Sequence, residues 1–332
     1  MRKVLLLNAY AANQADRLRA NLTTQWDIGT VIETDADEVR ASALSEAEAV
    51  VTSRFNAAMP PTPKLRLLQT PTAGFDRIEL AAVPKDCVVC NVHEHQSAIA
   101  EYVFAAMLQW VIRLTDLDSG FRAGDWTGGV SRPGHMHREI GGRTLGIIGY
   151  GRIGREVALR AKAFGMRVVA ATRSPRDREN LDELRSIQHL DALLPQCDFV
   201  LVACALNEGT RGLIDARRLA ALKRDAVLIN VSRAAIVDED GLYAALSEGR
   251  IGGAILDVWY SYPSVEAPHA RPSRFPFEQL GNVIITPHAS GWTLETVDRR
   301  WRFIAANLDR LARGERPWNV VIEHGRFVSQ GP

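Results

Sequence analysis

Short apolar runs alternate with helix-like segments in the N-terminal part of the chain. This alternation predicts strands joined by helices, and hence a parallel sheet. The proline-rich stretch 59–63 interrupts the pattern and is predicted to be a loop. Strands are predicted at 4–8, 31–32, 49–52, 65–69 and 88–92, with a helix at 11–21. Together these elements indicate a small flavodoxin-like domain.

A second alternating region follows a long apolar segment. Residues 97–117 contain neither Pro nor Gly and are strongly apolar, which predicts one long and largely buried helix. The Gly- and Arg-rich stretch 120–143 is predicted to be a connection. Further strands are predicted at 145–150, 168–171, 199–203, 227–231, 255–258 and 283–286, with helices at 153–164, 213–222, 238–248 and 292–313.

Composition narrows the class of protein. The 332 residues suit about two domains. The formal net charge of +1 gives no global electrostatic case for a nucleic-acid or anionic-membrane partner. No run approaches the ~18 apolar residues of a membrane helix, and Met1 leads directly into a strand-like run rather than a secretory signal. We therefore expect a cytoplasmic protein without membrane or nucleic-acid partners.

Two features have metal-like spacing. Cys87 and Cys90 are separated by two residues, but they lie in a strand-like run, where positions three apart face opposite sides of a sheet. No second cysteine pair completes a zinc set, so a structural role is favoured over a metal or redox motif. His93 and His95 flank Glu94 without further ligands close by in the sequence. No metal site is predicted.

The stretch 149–154 has the pattern G-x-G-x-x-G, directly after a predicted strand and before a predicted helix. In this context the pattern indicates a dinucleotide-binding turn. Gly149 permits the tight turn, Gly151 lets the backbone approach a pyrophosphate, and Gly154 allows close packing of helix on strand. Arg152 and Ile153 open the helix, whose N-terminal N–H groups and dipole favour an anion.

The next strand decides between the two nicotinamide dinucleotides. An acidic residue at its end would accept a hydrogen bond from the ribose 2′-hydroxyl of NAD. The strand instead ends in Thr172, Arg173 and Ser174. Because an acid is missing and Arg173 can pair with a 2′-phosphate, NADP is favoured. In the alternative, Arg173 stacks on the adenine and NAD binds through Thr172.

Two strand ends carry candidate catalytic groups. Arg233 follows the predicted strand at 227–231, and His288 follows the one at 283–286. Open α/β sheets bind ligands at the carboxyl ends of their strands. An arginine and a histidine beside a dinucleotide cradle suit hydride transfer on a 2-keto acid.

Several short motifs are spread along nearly the whole chain: PTAGFD at 71–76, AE at 100–101, GDW at 124–126, GYGRIG at 149–154, NVSR at 230–233, AILDV at 254–258 and TPH at 286–288. In this combination the chain resembles the D-isomer-specific 2-hydroxyacid dehydrogenases. The resemblance implies a Rossmann-type doubly wound cofactor domain, 99–291, inserted into a discontinuous flavodoxin-like substrate domain, 1–98 and 292–332. It also implies a homodimer, with the active site in the cleft between the domains.

The resemblance assigns roles to five residues. Arg233 would bind the substrate carboxylate and polarise the carbonyl through its planar fork. His288 would be the general acid in reduction and the base in oxidation. Backbone N–H groups of Ala73 and Gly74 would hold the carboxylate. Asp257 would accept from the nicotinamide carboxamide and would face the cofactor rather than the core.

The chain departs from the family beside His288. The family places a glutamate five residues after this aspartate, just before a proline, and that glutamate stabilises the charged histidine. Here the position is Tyr262, which is neutral, so a lower pKa is expected for His288. Three interpretations stay open: Tyr262 orients His288 or touches substrate, Glu266 substitutes for the carboxylate, or catalysis is slow.

Further residues are candidates for the cleft. Arg54 follows a predicted strand and is either a contact for a second anionic group of the substrate or a solvated loop residue. His95 is a candidate substrate contact. Trp292 either walls the pocket or belongs to the core.

The sequence thus predicts an oxidoreductase that uses NADP or NAD to reduce a small 2-keto acid, such as glyoxylate or hydroxypyruvate, or to oxidise a D-2-hydroxy acid. The alternative is a binding protein of the same fold that senses a dinucleotide and has impaired catalysis, because fold does not determine function. Retention of both Arg233 and His288 favours the enzyme, since a sensor needs neither.

Overall fold

The chain folds into two compact units. In the computed structural model, residues 1–130, 132, 134, 136–176, 178–263 and 267–328 are described. The first unit consists of Met1–Glu94 and Thr293–Pro332, and the second of His95–Trp292. Each unit is built on its own seven-stranded sheet.

The elements follow one another as alternating strands and helices. The strands are β1 (Arg2–Leu7), β2 (Trp26–Val31), β3 (Ala49–Val51), β4 (Leu67–Gln69), β5 (Val88–Cys90), β6 (Thr144–Ile148), β7 (Arg167–Thr172), β8 (Glu183–Ser186), β9 (Phe199–Val202), β10 (Val227–Asn230), β11 (Gly253–Leu256), β12 (Val283–Ile285), β13 (Val320–Glu323) and β14 (Arg326–Phe327). The helices are α1 (Ala9–Ala12), α2 (Ala15–Asn21), α3 (Asp37–Glu46), α4 (Gln96–Ile112), α5 (Leu114–Arg122), α6 (Arg152–Ala163), α7 (Leu190–Leu193), α8 (Ala216–Ala220), α9 (Glu239–Ser247) and α10 (Leu294–Ala312).

The sheet of the first unit has the order β14-β13-β5-β4-β3-β1-β2. The five strands from β2 to β5 are parallel, in the flavodoxin-like order 2-1-3-4-5, and β13 and β14 add antiparallel at one edge. Val4 and Leu6 of β1 pack on one face with Trp301 of α10, and Leu5 packs on the other with Leu44 of α3. The sheet is therefore buried on both faces, as parallel sheets usually are.

The sheet of the second unit is entirely parallel, in the order β12-β11-β10-β9-β6-β7-β8. Strand order reverses at β6, whose neighbours are β7 and β9, so the sheet is doubly wound with its switch point at the end of β6. Leu145 and Ile147 pack on one face and Ile148 on the other. The predicted α/β class, with a Rossmann-type and a flavodoxin-like sheet, is confirmed.

Some elements differ from the sequence-based prediction. The single helix expected over 97–117 breaks at Arg113, which has a left-handed backbone (φ 58°), into α4 and α5. Burial explains the break: α4 packs seven buried residues into the unit, whereas no residue of α5 is buried. The helix expected over 213–222 is reduced to α8, because Ile214 instead donates from its backbone to Ile236 O (3.0 Å).

Within the described residues, no single helix is long and apolar enough to cross a membrane. The pair α4 and α5 reaches the required length and composition together, but the two helices are bent by 54° at their junction.

Candidate active site

The turn between β6 and α6 has the shape of a phosphate cradle. Gly149 has φ 103°, and a Cβ there would lie 2.5 Å from Cys204 N, so only glycine fits. A Cβ on Gly154 would lie 2.5 Å from Gly149 O. Gly151 is the N-cap residue of α6 and has no side chain to cap the helix. A Cβ at this position would meet nothing within 4 Å. The space beside Gly151 at the start of α6 is therefore open, and the N-terminus of a helix favours a bound pyrophosphate.

The end of β7 lies beside this cradle. Gly149 N donates to Ala171 O (2.8 Å), which brings the last residues of β7 next to the glycine turn. Thr172 is half-buried, whereas Arg173 and Ser174 are exposed. Among the described residues, Arg173 has no ion-pair partner, so its guanidinium is available to a ligand.

Arg233 lies in a loop that Asn230 braces. Asn230 Oδ1 accepts from Ser232 N (3.1 Å), and its Nδ2 donates to Arg233 O (3.0 Å). The Arg233 side chain is half-buried, and its Nη1 donates to Ser232 O (2.9 Å). The loop therefore presents the guanidinium at the carboxyl end of β10.

His288 follows β12 at the same edge of the sheet, two strands away from β10. Its backbone is left-handed, with φ 60°, a conformation that costs a non-glycine residue roughly 1–2 kcal/mol. The imidazole is exposed, and its Nδ1 lies 2.9 Å from Tyr262 Oη. Tyr262 Oη also accepts from Trp259 N (3.1 Å). The structure thus brings His288 and Tyr262 together, whereas Glu266, the alternative partner, lies outside the described residues.

Asp257 follows β11 and is 0% exposed. The expected contact with the nicotinamide carboxamide stays a prediction. Oδ1 accepts from Thr286 Oγ1 (2.6 Å) and Ala289 N (2.7 Å), and Oδ2 accepts from Ser290 N (2.9 Å). These three donors surround His288 in the sequence, and they hold the carboxylate beneath the His288 turn.

In the first unit, side-chain donors occupy the carbonyl groups of the loop after β4. Thr70 Oγ1 donates to Thr72 O (2.7 Å), Asn91 Nδ2 to Ala73 O (2.8 Å), and Thr72 Oγ1 to Gly74 O (2.9 Å). The described part of the chain offers no acceptor to the N–H groups of Ala73 and Gly74. These two amides can therefore bind an anion.

Arg54 is exposed on the neighbouring loop of the same unit. Phe55 N donates to Arg77 O (3.2 Å) and Glu79 N donates to Phe55 O (2.8 Å), so the loop of Arg54 pairs with the segment after Gly74. No carboxylate in the described ranges forms an ion pair with Arg54.

Three other candidates have clear positions. His95 is half-buried at the N-cap of α4. Trp292 is 56% exposed, which rules out the core alternative. Burial raises the pKa of the Cys87 thiol to about 12 and also raises that of Cys90, so neither is a ready thiolate. Within the described residues no cluster of three or more His, Cys, Asp or Glu side chains is arranged to hold a metal ion.

Comparison with known proteins shows which protein family the chain resembles. The family model described as "D-isomer specific 2-hydroxyacid dehydrogenase, NAD binding domain" matches residues 104–290. A glyoxylate reductase of Thermococcus gammatolerans is 32% identical over 96% of this chain and 95% of its own length. One of Korarchaeum cryptofilum is 35% identical over 78% of this chain and 76% of its own length. The solved 2-hydroxyacid dehydrogenase of Ketogulonicigenium vulgare superposes with a TM-score of 0.83 at 27% identity, covering 98% of this chain and 100% of its own.

The chain belongs to the D-isomer-specific 2-hydroxyacid dehydrogenase family. The resemblance found in the sequence is thereby confirmed, as is the prediction of an NAD(P)-dependent dehydrogenase. The matched region contains the glycine turn and the ends of β10 and β12, after which Arg233 and His288 follow. The cofactor of this dehydrogenase is therefore a nicotinamide dinucleotide, and the cradle at Gly149–Gly154 fits its pyrophosphate.

Sequence reasoning missed residues that support the His288 turn. Tyr102 Oη of α4 lies 2.7 Å from Thr286 Oγ1, and Trp259 Nε1 donates to Thr286 O (2.8 Å). Thr286 belongs to the TPH motif, but the motif alone does not indicate this supporting role. The sequence does not indicate this role for Tyr102, because a tyrosine in an apolar helix is usually a packing residue.

Proposed function

We propose that this dehydrogenase reduces a small 2-keto acid of the glyoxylate or hydroxypyruvate class, and that Arg233 and His288 carry the chemistry. A bound nicotinamide dinucleotide supplies the hydride. Arg233 binds the substrate carboxylate with its planar fork and polarises the carbonyl. The observation that carries the proposal is the placement of Arg233 and His288 at one carboxyl edge of a doubly wound sheet, beside a dinucleotide cradle.

The proton comes from His288 Nε2 in this proposal, because Nδ1 is occupied by Tyr262 Oη at 2.9 Å. A phenol can accept from Nδ1–H of an imidazolium, or donate to Nδ1 of a neutral imidazole. Tyr262 therefore orients the ring in both protonation states, but it adds no charge that would stabilise the imidazolium. This is the first of the three interpretations that the sequence left open.

The cofactor is NADPH in preference to NADH. Support comes from the exposed Arg173 without an ion-pair partner among the described residues, and from the absence of an acid at Thr172–Ser174. A guanidinium forms charge-assisted hydrogen bonds with a 2′-phosphate.

The first unit contributes to substrate binding. The N–H groups of Ala73 and Gly74, which have no acceptor within the described residues, bind the substrate carboxylate, and Arg54 binds a second polar or anionic group if the substrate has one. The second unit, His95–Trp292, holds the dinucleotide.

The working form is a cytoplasmic homodimer. Large apolar side chains on and after α5 are exposed to solvent, and monomers rarely expose wide apolar patches. They are Leu114, Leu117, Phe121, Trp126, Val130 and Met136.

A panel of 2-keto acids assayed with NADPH and with NADH tests the proposal. We expect oxidation of NADPH with glyoxylate or hydroxypyruvate, and loss of nearly all turnover in Arg233→Gln and His288→Gln. Thermal stabilisation by NADPH without turnover of any keto acid would contradict the proposal and would favour the dinucleotide sensor.

A further inference from the structure

The turn that carries His288 is held from below by one buried carboxylate. Asp257 accepts from Ala289 N and Ser290 N at 2.7 and 2.9 Å, the two amides that directly follow His288. His288 itself has the left-handed φ of 60°, and its N–H closes a tight turn onto Thr286 O (3.0 Å). Charge-assisted hydrogen bonds on two consecutive amides can hold a backbone that would otherwise relax. The Asp257 carboxylate thus fixes the backbone position from which the His288 side chain extends.

The hydrogen bonds of the hydroxyl groups below the turn have a defined donor and acceptor. An ionised carboxylate can only accept hydrogen bonds. The Thr286 hydroxyl therefore donates its single proton to Asp257 Oδ1, 2.6 Å away. Thr286 Oγ1 must then accept from Tyr102 Oη, at 2.7 Å. Burial, opposed by the bond to Thr286 and reinforced by Asp257, raises the pKa of Tyr102, so the phenol keeps the proton that it donates. A chain of hydrogen bonds therefore leads from α4 through Thr286 to Asp257.

The ring of His288 is held by the segment that contains Asp257. Asp257, Trp259 and Tyr262 all belong to the chain that leaves β11, and β11 pairs in register with β12, which leads to His288. Trp259 donates from its indole to Thr286 O and from its backbone to Tyr262 Oη. Residues 257–262 therefore contact the His288 turn on its backbone side and on its ring side.

We propose that Asp257, connected to Tyr102 through Thr286, is a positioning residue that sets the backbone turn and hence the imidazole of His288. The inference rests on the proposed function for the meaning of a correctly placed imidazole. It concerns the role of the aspartate toward the histidine turn, which is distinct from the contact with the cofactor carboxamide that the family resemblance implies.

Matched variants separate the two roles. Asp257→Asn keeps the size of the side chain but removes one acceptor and adds a donor facing backbone N–H groups. Tyr102→Phe removes only the distal donor, and Thr286→Ser keeps the hydroxyl. Tyr243→Phe is the control, since this half-buried tyrosine of the same unit stacks on Phe275 and its hydroxyl has no hydrogen bond within the described residues.

The readouts are kcat, KM for the keto acid, the dissociation constant of NADPH, and the ring NMR signals of His288, assigned by their loss in His288→Gln. In Asp257→Asn we expect kcat to fall at least about tenfold and the His288 signals to move, with NADPH affinity within about twofold of wild type. Tyr102→Phe should lower kcat by about two- to fivefold and move the same signals in the same direction. Thr286→Ser and Tyr243→Phe should match wild type within about twofold.

The opposite pattern overturns the proposal. If Asp257→Asn weakens NADPH binding while the His288 signals stay in place, the aspartate serves the cofactor. If Asp257→Asn does not fold, Tyr102→Phe decides, and unchanged kcat with unchanged His288 signals removes the role. If wild type turns over no keto acid, the proposed reaction fails, but displaced His288 signals in Asp257→Asn would still support the positioning.

Discussion

At the scale of single residues, Tyr262 is the position that most changes the expected chemistry. A carboxylate beside Nδ1 would stabilise the imidazolium, whereas the phenol 2.9 Å away offers only a dipole. In the proposed mechanism the reduction needs the protonated ring, so we expect activity to fall as pH rises through the pKa of His288. The partner of Nδ1 is then expected to influence the upper pH limit of the reduction.

The first prediction exchanges this partner. Tyr262→Glu should move the alkaline limb of the pH profile of kcat/KM for reduction to higher pH, by about 1 unit, because an adjacent carboxylate raises the pKa of the histidine. Tyr262→Phe should lower kcat about tenfold without moving the limb upward, since the ring loses its partner. If Glu266→Gln alone lowers the rate, Glu266 is the true partner and the role of the tyrosine is wrong.

The second prediction concerns the exposed Arg173. Arg173→Ala should lower kcat/KM with NADPH by at least about tenfold and leave kcat/KM with NADH nearly unchanged, because only NADPH carries the 2′-phosphate. Stacking of Arg173 on the adenine would instead give equal losses with both cofactors. A tenfold preference of wild type for NADH would contradict the NADP assignment.

At the scale of elements, the β6–α6 turn contains glycines that the fold requires and one glycine that it does not require. The glycines at 149 and 154 are required by the fold, since a Cβ at either would lie 2.5 Å from backbone. Gly151 is different, because a Cβ there would meet no protein atom within 4 Å. The fold therefore does not require glycine at 151 for reasons of space.

The third prediction follows from this open space. Gly151→Ala should leave the free energy of unfolding unchanged or raised by up to about 1 kcal/mol, while the dissociation constant of NADPH rises at least about tenfold. Denaturant unfolding and cofactor titration measure the two quantities. Gly281→Ala is the matched control, because its Cβ would also meet nothing within 4 Å and its φ is not left-handed. Unchanged NADPH affinity in Gly151→Ala would place the pyrophosphate elsewhere.

The fourth prediction concerns the anchoring of α10. Asp309 is 4% exposed. Burial alone would raise its pKa, but hydroxyl and amide donors of Thr23 and Thr24 lower it below the usual range. A lowered carboxyl pKa stabilises the fold above the unfolded-state pKa of about 4, and this stabilisation is lost as pH falls through the folded value.

Asp309→Asn should therefore cost about 1–3 kcal/mol at pH 7. The difference in Tm from wild type should shrink as pH falls below about 4. Thermal unfolding at a series of pH values measures it, with the exposed Asp16→Asn as control. A Tm difference that does not change with pH would show that shape, not charge, matters at this position.

At the scale of the whole molecule, the exposed apolar residues on and after α5 have no partner within the described chain that covers them. Phe121 and Trp126 contact each other edge to face at 5.0 Å, yet they remain 57% and 54% exposed. Leaving such area in water is unfavourable by about 25 cal/mol per Å². A second copy of the chain would remove this cost.

The fifth prediction tests the homodimer. Wild type should sediment as a dimer in analytical ultracentrifugation, and the double variant Phe121→Glu with Trp126→Glu should sediment as a monomer, because charges at the centre of an apolar interface are strongly unfavourable. Val39→Glu, at an exposed apolar position of α3, should remain dimeric. A monomeric wild type would contradict the assembly.

Local patterns were sufficient for much of this protein. Buried parallel strands appear in the sequence as apolar runs, so most of the parallel strands and the α/β class could be predicted. The strands β8, β13 and β14 and the helices α3 and α7 were missed. In α3 the only buried residue is Leu44, so the helix has no buried apolar stripe that would mark it in the sequence. The break at Arg113 depends on where burial stops along the chain, and no local pattern reports that.

The sequence by itself determined the family, and it predicted the cofactor cradle and named Arg233 and His288 as candidates, because these motifs depend on fixed spacing along the chain. Only the tertiary structure decided what surrounds His288: a tyrosine on its ring, a buried Asp257 under its turn, and Tyr102 from a helix 184 residues away in sequence from Thr286. The reason is physical. Hydrogen bonds between neighbouring strands and helices depend on register and burial, which exist only after the sheet has formed.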